Sequence, residues 1–284
     1  MIEVFFLGTS AGAPTLKRGL PAIALRYKGQ LFLWDVGECA QRQLLKHKLG
    51  FGIDGIFISH LHLDHFLGLY GLWETLKMQN LPEMPQVYAP KGFPLINDIP
   101  VKQIRSGKVY QGEDFEIRAF RVKHIGGSYG FVFEQAPRRK FIPEKIKGLE
   151  PRHFISFKRY GYAVVGGKEV SIDEVSYLKP GLKVAYTGDT MYYEAIVEEI
   201  KGADLLIHEA TFREADQQDA IQKKHSTIAD AARIAQKAGV KTLVLTHISS
   251  RYDKVPEEEL IQEAKRYFQG EVILAHDGLK LEVK

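Results

Sequence analysis

The stretch Ser59-His60-Leu61-His62-Leu63-Asp64-His65 places three imidazoles and a carboxylate within six residues, and the rest of the chain is read outward from it. It holds three of the ten histidines in 284 residues. The apolar run Gly55-Ile56-Phe57-Ile58 before it reads as a buried strand. After it, Phe66, Leu69, Leu72, Trp73 and Leu76 recur at helical spacing, which predicts a helix from Phe66 to Met78. The cluster therefore lies at the carboxyl end of a strand, in the turn before a helix. His60 and His62, two apart in extended chain, point to one side and suit one metal ion. Asp64 and His65, at the turn into the helix, suit a second. Imidazole nitrogen with carboxylate oxygen favours zinc, with manganese, iron or cobalt as alternatives.

Composition sets the frame. Hydrophobic residues make up 45% and charged residues 26%, as in a chain that buries a large core. A single cysteine, Cys39, excludes an internal disulfide framework and suits a reducing compartment. No apolar run approaches the roughly 20 residues that span a bilayer. Met1 to Gly8 has neither a basic start nor a small-residue cleavage site and reads as a first strand, so a cytoplasmic protein is expected.

The formal charge of +4 is unevenly distributed. Residues 135–181 hold ten Lys or Arg against five Asp or Glu, a surplus of +5 that leaves −1 on the other 237 residues. This segment, with Phe141, Phe154, Phe157, Tyr160 and Tyr162 among its basic residues, reads as an insertion or arm, or as a solvated loop region. The expected organisation is one domain over 1–284 carrying that insertion.

Strands alternate with turns through the remainder. Residues 2–7 form the first, before a Gly8 to Pro14 loop that lacks the Gly-X-Gly-X-X-Gly spacing of a dinucleotide site and reads as a tight turn. Lys17 and Arg18 beyond it are candidates for touching a phosphate. Ala22–Tyr27 and Gln30–Trp34 form a hairpin, followed by Asp35, which either orients a ligand imidazole or caps the helix that runs on to Leu49. A helix from His225-Ser226-Thr227 to Ala238 starts at a Thr227/Asp230 capping-box spacing and stops at Gly239. Pro256 opens the last helix at its first position.

One pattern recurs: a strand, then His60, His124, Asp189, His208 or His247 at its end. Side chains at equivalent ends of neighbouring strands converge on one edge of a sheet, which is how distant sequence assembles a metal site.

These residues resemble a known family. His60-Leu61-His62-Leu63-Asp64-His65, the isolated His124, Gly188-Asp189-Thr190, His208-Glu209-Ala210-Thr211, His225-Ser226-Thr227 and Thr246-His247-Ile248-Ser249-Ser250-Arg251-Tyr252 follow the order seen in the metallo-β-lactamase superfamily, and within it in the ribonuclease Z family, endonucleases that mature the 3′ end of transfer RNA. The resemblance spans nearly the whole chain. It implies an α/β fold, a four-layer αββα sandwich, and commonly a homodimer. It implies two zinc ions, one on His60, His62 and His124, the other on Asp64, His65 and His247, with Asp189 bridging. It further implies Asp64 as proton acceptor and His225 as the residue assisting the leaving oxygen, with Glu209 as a candidate to orient it. His208 reads instead as a buried, hydrogen-bonded histidine.

The implied reaction is removal of the 3′ trailer from precursor tRNA by a metal-activated water, leaving a 3′ hydroxyl. Arg138, Arg139 and Lys140 in the basic segment are candidates to grip the RNA. Two departures stand out: Leu63 occupies a position usually held by Gly, and the arm lacks the Gly-Pro-rich stretch of many relatives. The competing enzyme readings are a small phosphodiesterase, an arylsulfatase or a lactonase on the same fold. A binding protein with structural zinc is disfavoured by the lone cysteine.

Overall fold

The computed structural model describes residues 1–79, 81–94 and 99–284. The chain divides into two compact units, Met1–Glu134 with Leu182–Lys284, and Gln135–Gly181. The first supplies β1 (Ile2–Gly8), β2 (Ala22–Tyr27), β3 (Gln30–Val36), β4 (Gly55–Phe57), β5 (Gln86–Ala89), β6 (Val101–Gln103), β7 (Gly107–Gln111), β8 (Phe115–Arg121) and β9 (Tyr129–Gln135). The second holds β10 (Arg138–Phe141), β11 (Tyr162–Val165), β12 (Lys168–Ser171) and β13 (Ser176–Lys179). The first unit resumes with β14 (Lys183–Tyr186), β15 (Leu205–Glu209), β16 (Thr242–Thr246), β17 (Glu271–Leu274) and β18 (Lys280–Val283).

Two seven-stranded mixed sheets follow, ordered β18-β1-β2-β3-β4-β5-β6 and β17-β16-β15-β14-β9-β8-β7. Strand parity explains how they pack. In β1, Ile2, Val4 and Phe6 belong to the core that both sheets share, whereas Phe5 and Leu7 belong to the cluster with the helix Gly68–Met78. In β15, Leu205 and Ile207 join the shared core, and Leu206 joins the cluster with the helix Ile228–Ala238. Both faces of each sheet are therefore covered, and the result is the αββα sandwich. Trp34 and Tyr186 stack across the middle at 6.0 Å, with ring planes 6° apart. Burying such a large side chain contributes about 1.5–3 kcal/mol.

Local signals set the helix ends. The Thr227 hydroxyl accepts from Asp230 N–H at 3.1 Å and the Asp230 carboxylate accepts from Thr227 N–H at 3.1 Å, a reciprocal cap. Gly239 ends that helix at φ 61°. The expected helix over Phe66–Met78 is two pieces, Leu63–Phe66 and Gly68–Met78. Gly68 lies so close to the end of β3 that a Cβ on it would stand 2.0 Å from Gly37 O. Pro256 is the N-cap of Glu257–Lys265 rather than its first residue, since its ψ of 133° is not helical.

The second unit is built separately. β10 pairs antiparallel with β13, β11 with β12, and the helix Pro151–Tyr160 packs Phe157 against Ala163 and Val175. Phe141 and Phe154 join that small core, while Tyr160 and Tyr162 stay exposed.

Candidate metal centre

β4 leads to His60, β8 to His124, β14 to Asp189 and β16 to His247. These strand ends, with the turn after His60, bring His60, His62, His124 and Asp189 into one group and Asp64, His65 and His247 into another. Within each group, one ligand atom per residue lies within 4.8 Å of every other. Asp189 stands between them: its Oδ2 is 3.5 Å from His60 Nε2 and 3.3 Å from His65 Nε2, and its Oδ1 is 3.5 Å from His247 Nε2. Asp64 Oδ2 is 3.6 Å from both His65 Nε2 and His247 Nε2. The glycine of Gly188-Asp189-Thr190 is required locally, with φ 58° and a Cβ position 2.9 Å from Ser59 Cβ.

Hydrogen bonding fixes which nitrogen faces inward in four of the five imidazoles, while His62 Nδ1 lies 3.2 Å from His124 Nε2. Ser59 Oγ donates to Asp35 Oδ2 at 2.8 Å, so it accepts from His60 Nδ1–H at 3.0 Å. Thr211 Oγ1 donates to Glu209 Oε2 at 2.6 Å, so it accepts from His247 Nδ1–H at 2.8 Å. His65 Nδ1–H donates to Asp35 at 2.7 Å, and His124 Nδ1–H donates to Lys224 O at 2.8 Å. Each of these four rings thus directs Nε2 to the centre. His60, His65 and His247 Nε2 and Asp189 Oδ1 are buried and find no hydrogen-bond partner among the described residues. Anchored at one nitrogen and open at the other is how metal-ligating histidines are held.

Asp35 does not cap a helix; Cys39 occupies that place before Ala40–Lys46. Its buried carboxylate takes Ser59 N–H at 2.7 Å and Tyr186 O–H at 2.8 Å besides Ser59 Oγ and His65. The Gly8 to Pro14 loop does more than turn, because Gly12 N–H donates to Asp64 Oδ2 at 3.1 Å.

Charge points the same way. Asp35, Asp189 and Glu209 are buried and Asp64 nearly so, a concentration of negative charge that calls for cations. Burial opposes ionisation of Asp189, but the charges of His247, His65 and His60 outweigh it and hold the carboxyl well below its usual range. Burial likewise disfavours a charged His65, yet Asp189 and Asp35 push it well above the ordinary imidazole value. A nitrogen that draws a proton so strongly in this position also suits a divalent metal ion.

His225 sits beside the centre. Its Nδ1–H donates to Glu209 Oε1 at 2.8 Å, and Asp189 Oδ2 is 3.9 Å away. Burial acts to lower its pKa, but the charge and hydrogen bond of Glu209, with Asp189 behind, push it up to about 9. Glu209 also accepts Thr190 N–H at 2.8 Å, so one carboxylate ties together the Asp189 loop, His225 and, through Thr211, His247. His208 belongs elsewhere. β15 continues through it, parity turns it to the face of Leu206, and its Nδ1–H donates to Glu209 O at 2.7 Å.

A cavity of about 210 Å³ opens onto the centre, lined by His62, Asp64, Asp189, His225 and His247 together with Gly12, Phe212, Lys223 and Arg251. A larger one, of about 520 Å³, runs between Arg18 and Tyr252 and contains none of the clustered residues. Arg18 itself is buried, donating to Thr9 Oγ1 and Ala275 O, and so holds loops together. Leu63 is 62% exposed beside the cluster. In the second unit, Arg138, Arg139 and Lys140 are exposed on β10, and Arg139 Nη1 bonds Asp173 at 2.5 Å and Ser176 at 3.0 Å.

Sequence reading missed Thr211, Gly12 and Tyr186. Thr211 lay inside His208-Glu209-Ala210-Thr211, the one available signal.

Known proteins resemble this chain in sequence and in fold. The family described as "Metallo-beta-lactamase superfamily" matches residues 21–247. The chain is 38% identical to ribonuclease Z of Archaeoglobus fulgidus over 302 aligned positions, covering 100% of this chain and 98% of that protein. It is 38% identical to ribonuclease Z of Sulfurisphaera tokodaii over 281 positions, 95% of this chain and 94% of the relative. Among solved structures, the short form of human tRNase Z superposes with a TM-score of 0.69 at 29% identity, covering 99% of each chain. A metallo-beta-lactamase fold protein of Bacillus subtilis superposes at 0.74 with 21% identity, covering 99% of this chain and 100% of that one, a likeness of fold.

Proposed function

The chain belongs to the metallo-beta-lactamase superfamily and, within it, to the ribonuclease Z family, and from that premise we propose how it removes the 3′ trailer from precursor tRNA. It is an endoribonuclease that hydrolyses one phosphodiester and leaves a 3′ hydroxyl on the tRNA. The observation that carries the mechanism is the convergence of six ligand side chains with Asp189, with His225 held alongside by Glu209.

His60, His62 and His124 would hold one zinc ion, Asp64, His65 and His247 the other, with Asp189 shared. Zinc bound there lowers the pKa of a water to about 7 and neutralises charge on the phosphoryl oxygens. The chain's own groups do the rest. Asp35 and Glu209, each buried and accepting several hydrogen bonds, hold the imidazoles in their working tautomer. Asp64 is kept ionised, since the neighbouring His247 and His65 prevail over its burial, so it can accept a proton from the attacking water. His225, its Nδ1–H held by Glu209, would donate a proton to the departing 3′ oxygen.

The unit Gln135–Gly181 acts as an RNA-gripping arm on one catalytic domain spanning 1–284; its +5 charge supports that role. The family resemblance supports a homodimer, and the single cysteine a reducing cytoplasm. No helix of the described residues is long and apolar enough to cross a membrane.

The test is incubation of purified protein with end-labelled precursor tRNA carrying a 3′ trailer. A tRNA ending in a 3′ hydroxyl and a trailer with a 5′ phosphate are expected. Hydrolysis of small phosphodiesters with intact precursor would favour the small-phosphodiesterase reading instead.

A further inference from the structure

Phe212 is buried, and two cations stand over its ring. Lys223 Nζ lies 5.6 Å from the centroid and the Arg251 guanidinium carbon 5.0 Å. All three residues line the cavity that contains Asp189, His225 and His247. Arg251 is aimed by Asp219, 2.8 Å from its Nη1, with Asp216 at 3.9 Å. Lys223 forms no ion pair among the described residues, so its charge stays available. Phe212 also adjoins His225, with ring centroids 6.2 Å apart.

A metal centre alone accounts for one phosphodiester, the one that is cut. A polynucleotide brings further anions on either side, and fixed cations in the same cavity are where they can be received. We propose that Lys223 and Arg251, both over the Phe212 ring in the cavity lining, form a clamp for the backbone phosphate next to the scissile one. The side follows from chemistry. His225 protonates the 3′ oxygen that leaves, so a clamp next to His225 meets the nucleotide on the 5′ side of the cut. The ligand class is then a single-stranded oligoribonucleotide end, and a lone phosphodiester reaches only the metals. This assignment rests on the reading of the centre as an RNA phosphodiesterase.

The experiment is competition against hydrolysis of bis(p-nitrophenyl) phosphate, using a five-nucleotide RNA and a dinucleoside monophosphate as inhibitors. The wild-type protein is expected to bind the pentanucleotide more tightly. Replacing either cation, Lys223→Ala or Arg251→Ala, should shrink that preference about tenfold, the worth of one charge-assisted hydrogen bond. Each should also reduce the slope of log affinity against log salt by about 0.7. Lys223→Arg should retain most of the preference; this exchange keeps the charge and serves if an alanine variant misfolds. An unchanged preference and salt slope would overturn the clamp. So would equal weakening of both inhibitors, since that would place the cations at the cleaved phosphate itself. The outcome does not depend on tRNA: a preference lost in these variants, with precursor tRNA left uncut by the wild type, keeps the clamp and rejects the substrate.

Discussion

Glu209 holds His225 in place: its Oε1 lies 2.8 Å from Nδ1, and its other oxygen accepts the Thr211 hydroxyl that positions His247. A proton donor and a metal ligand therefore hang from one buried carboxylate. Burial alone would lower the pKa of His225, but Glu209 and Asp189 push it up to about 9. A raised imidazole keeps its proton below that value and loses it as pH rises through it. Turnover needing this proton therefore falls on the alkaline side, and bound cations draw that limb below 9. Glu209→Gln should move it further, toward the ordinary value near 6.5. The measurement is the pH profile of kcat in both proteins; an alkaline limb that stays in place would show that His225 does not supply the proton.

Removing the imidazole separates chemistry from metal binding. His225→Ala should retain its metal and cleave precursor tRNA about 10²–10⁴-fold more slowly. Metal content and single-turnover rates check it together. Loss of metal in this variant would make His225 a ligand.

Asp35 serves both halves of the centre, His65 directly and His60 through Ser59. Asp35→Asn should weaken metal retention about 10–100-fold, as expected for a group that orients ligands. Tyr186→Phe, which removes one hydrogen bond to Asp35 and keeps the stacking on Trp34, should have a smaller effect in the same direction. Competition with a chromophoric chelator reads both variants; wild-type affinity in Asp35→Asn would contradict the assignment.

Neutralising Arg138 and Lys140 should raise KM for precursor tRNA and flatten its salt dependence, because cations on RNA gain free energy by releasing counterions. Arg139 is different, since its bonds to Asp173 and Ser176 tie β10 to the rest of the second unit. Arg139→Ala should lower thermal stability as well. Equal loss on bis(p-nitrophenyl) phosphate would assign all three to folding.

Much of this centre could be read from residues close together in sequence. His60, His62, Asp64 and His65 share one turn, and Asp189 and His247 follow strands whose apolar runs are plain. Contacts closed only by tertiary folding were not legible: Gly12 to Asp64, Thr211 to His247, and Tyr186 to Asp35. His208 shows how parity decides. Its neighbours Ile207 and Glu209 face inward, so His208 faces the helix layer, and only knowing that β15 runs on to Glu209 reveals it. Asp35 and His247 both adopt φ 57°, a left-handed backbone that redirects the chain where alternation would otherwise continue. The strands β6 and β7 escaped notice because their residues are largely exposed and carry little apolar pattern.

The most direct test of the central claim is elemental analysis of fully active protein alongside Asp189→Ala. Asp189 meets ligands of both groups, so two zinc equivalents per chain are expected in the wild type, and severe loss of metal and of precursor-tRNA cleavage in the variant. Full activity with one equivalent or none, or a variant that keeps both ions, would contradict a dinuclear centre bridged by Asp189.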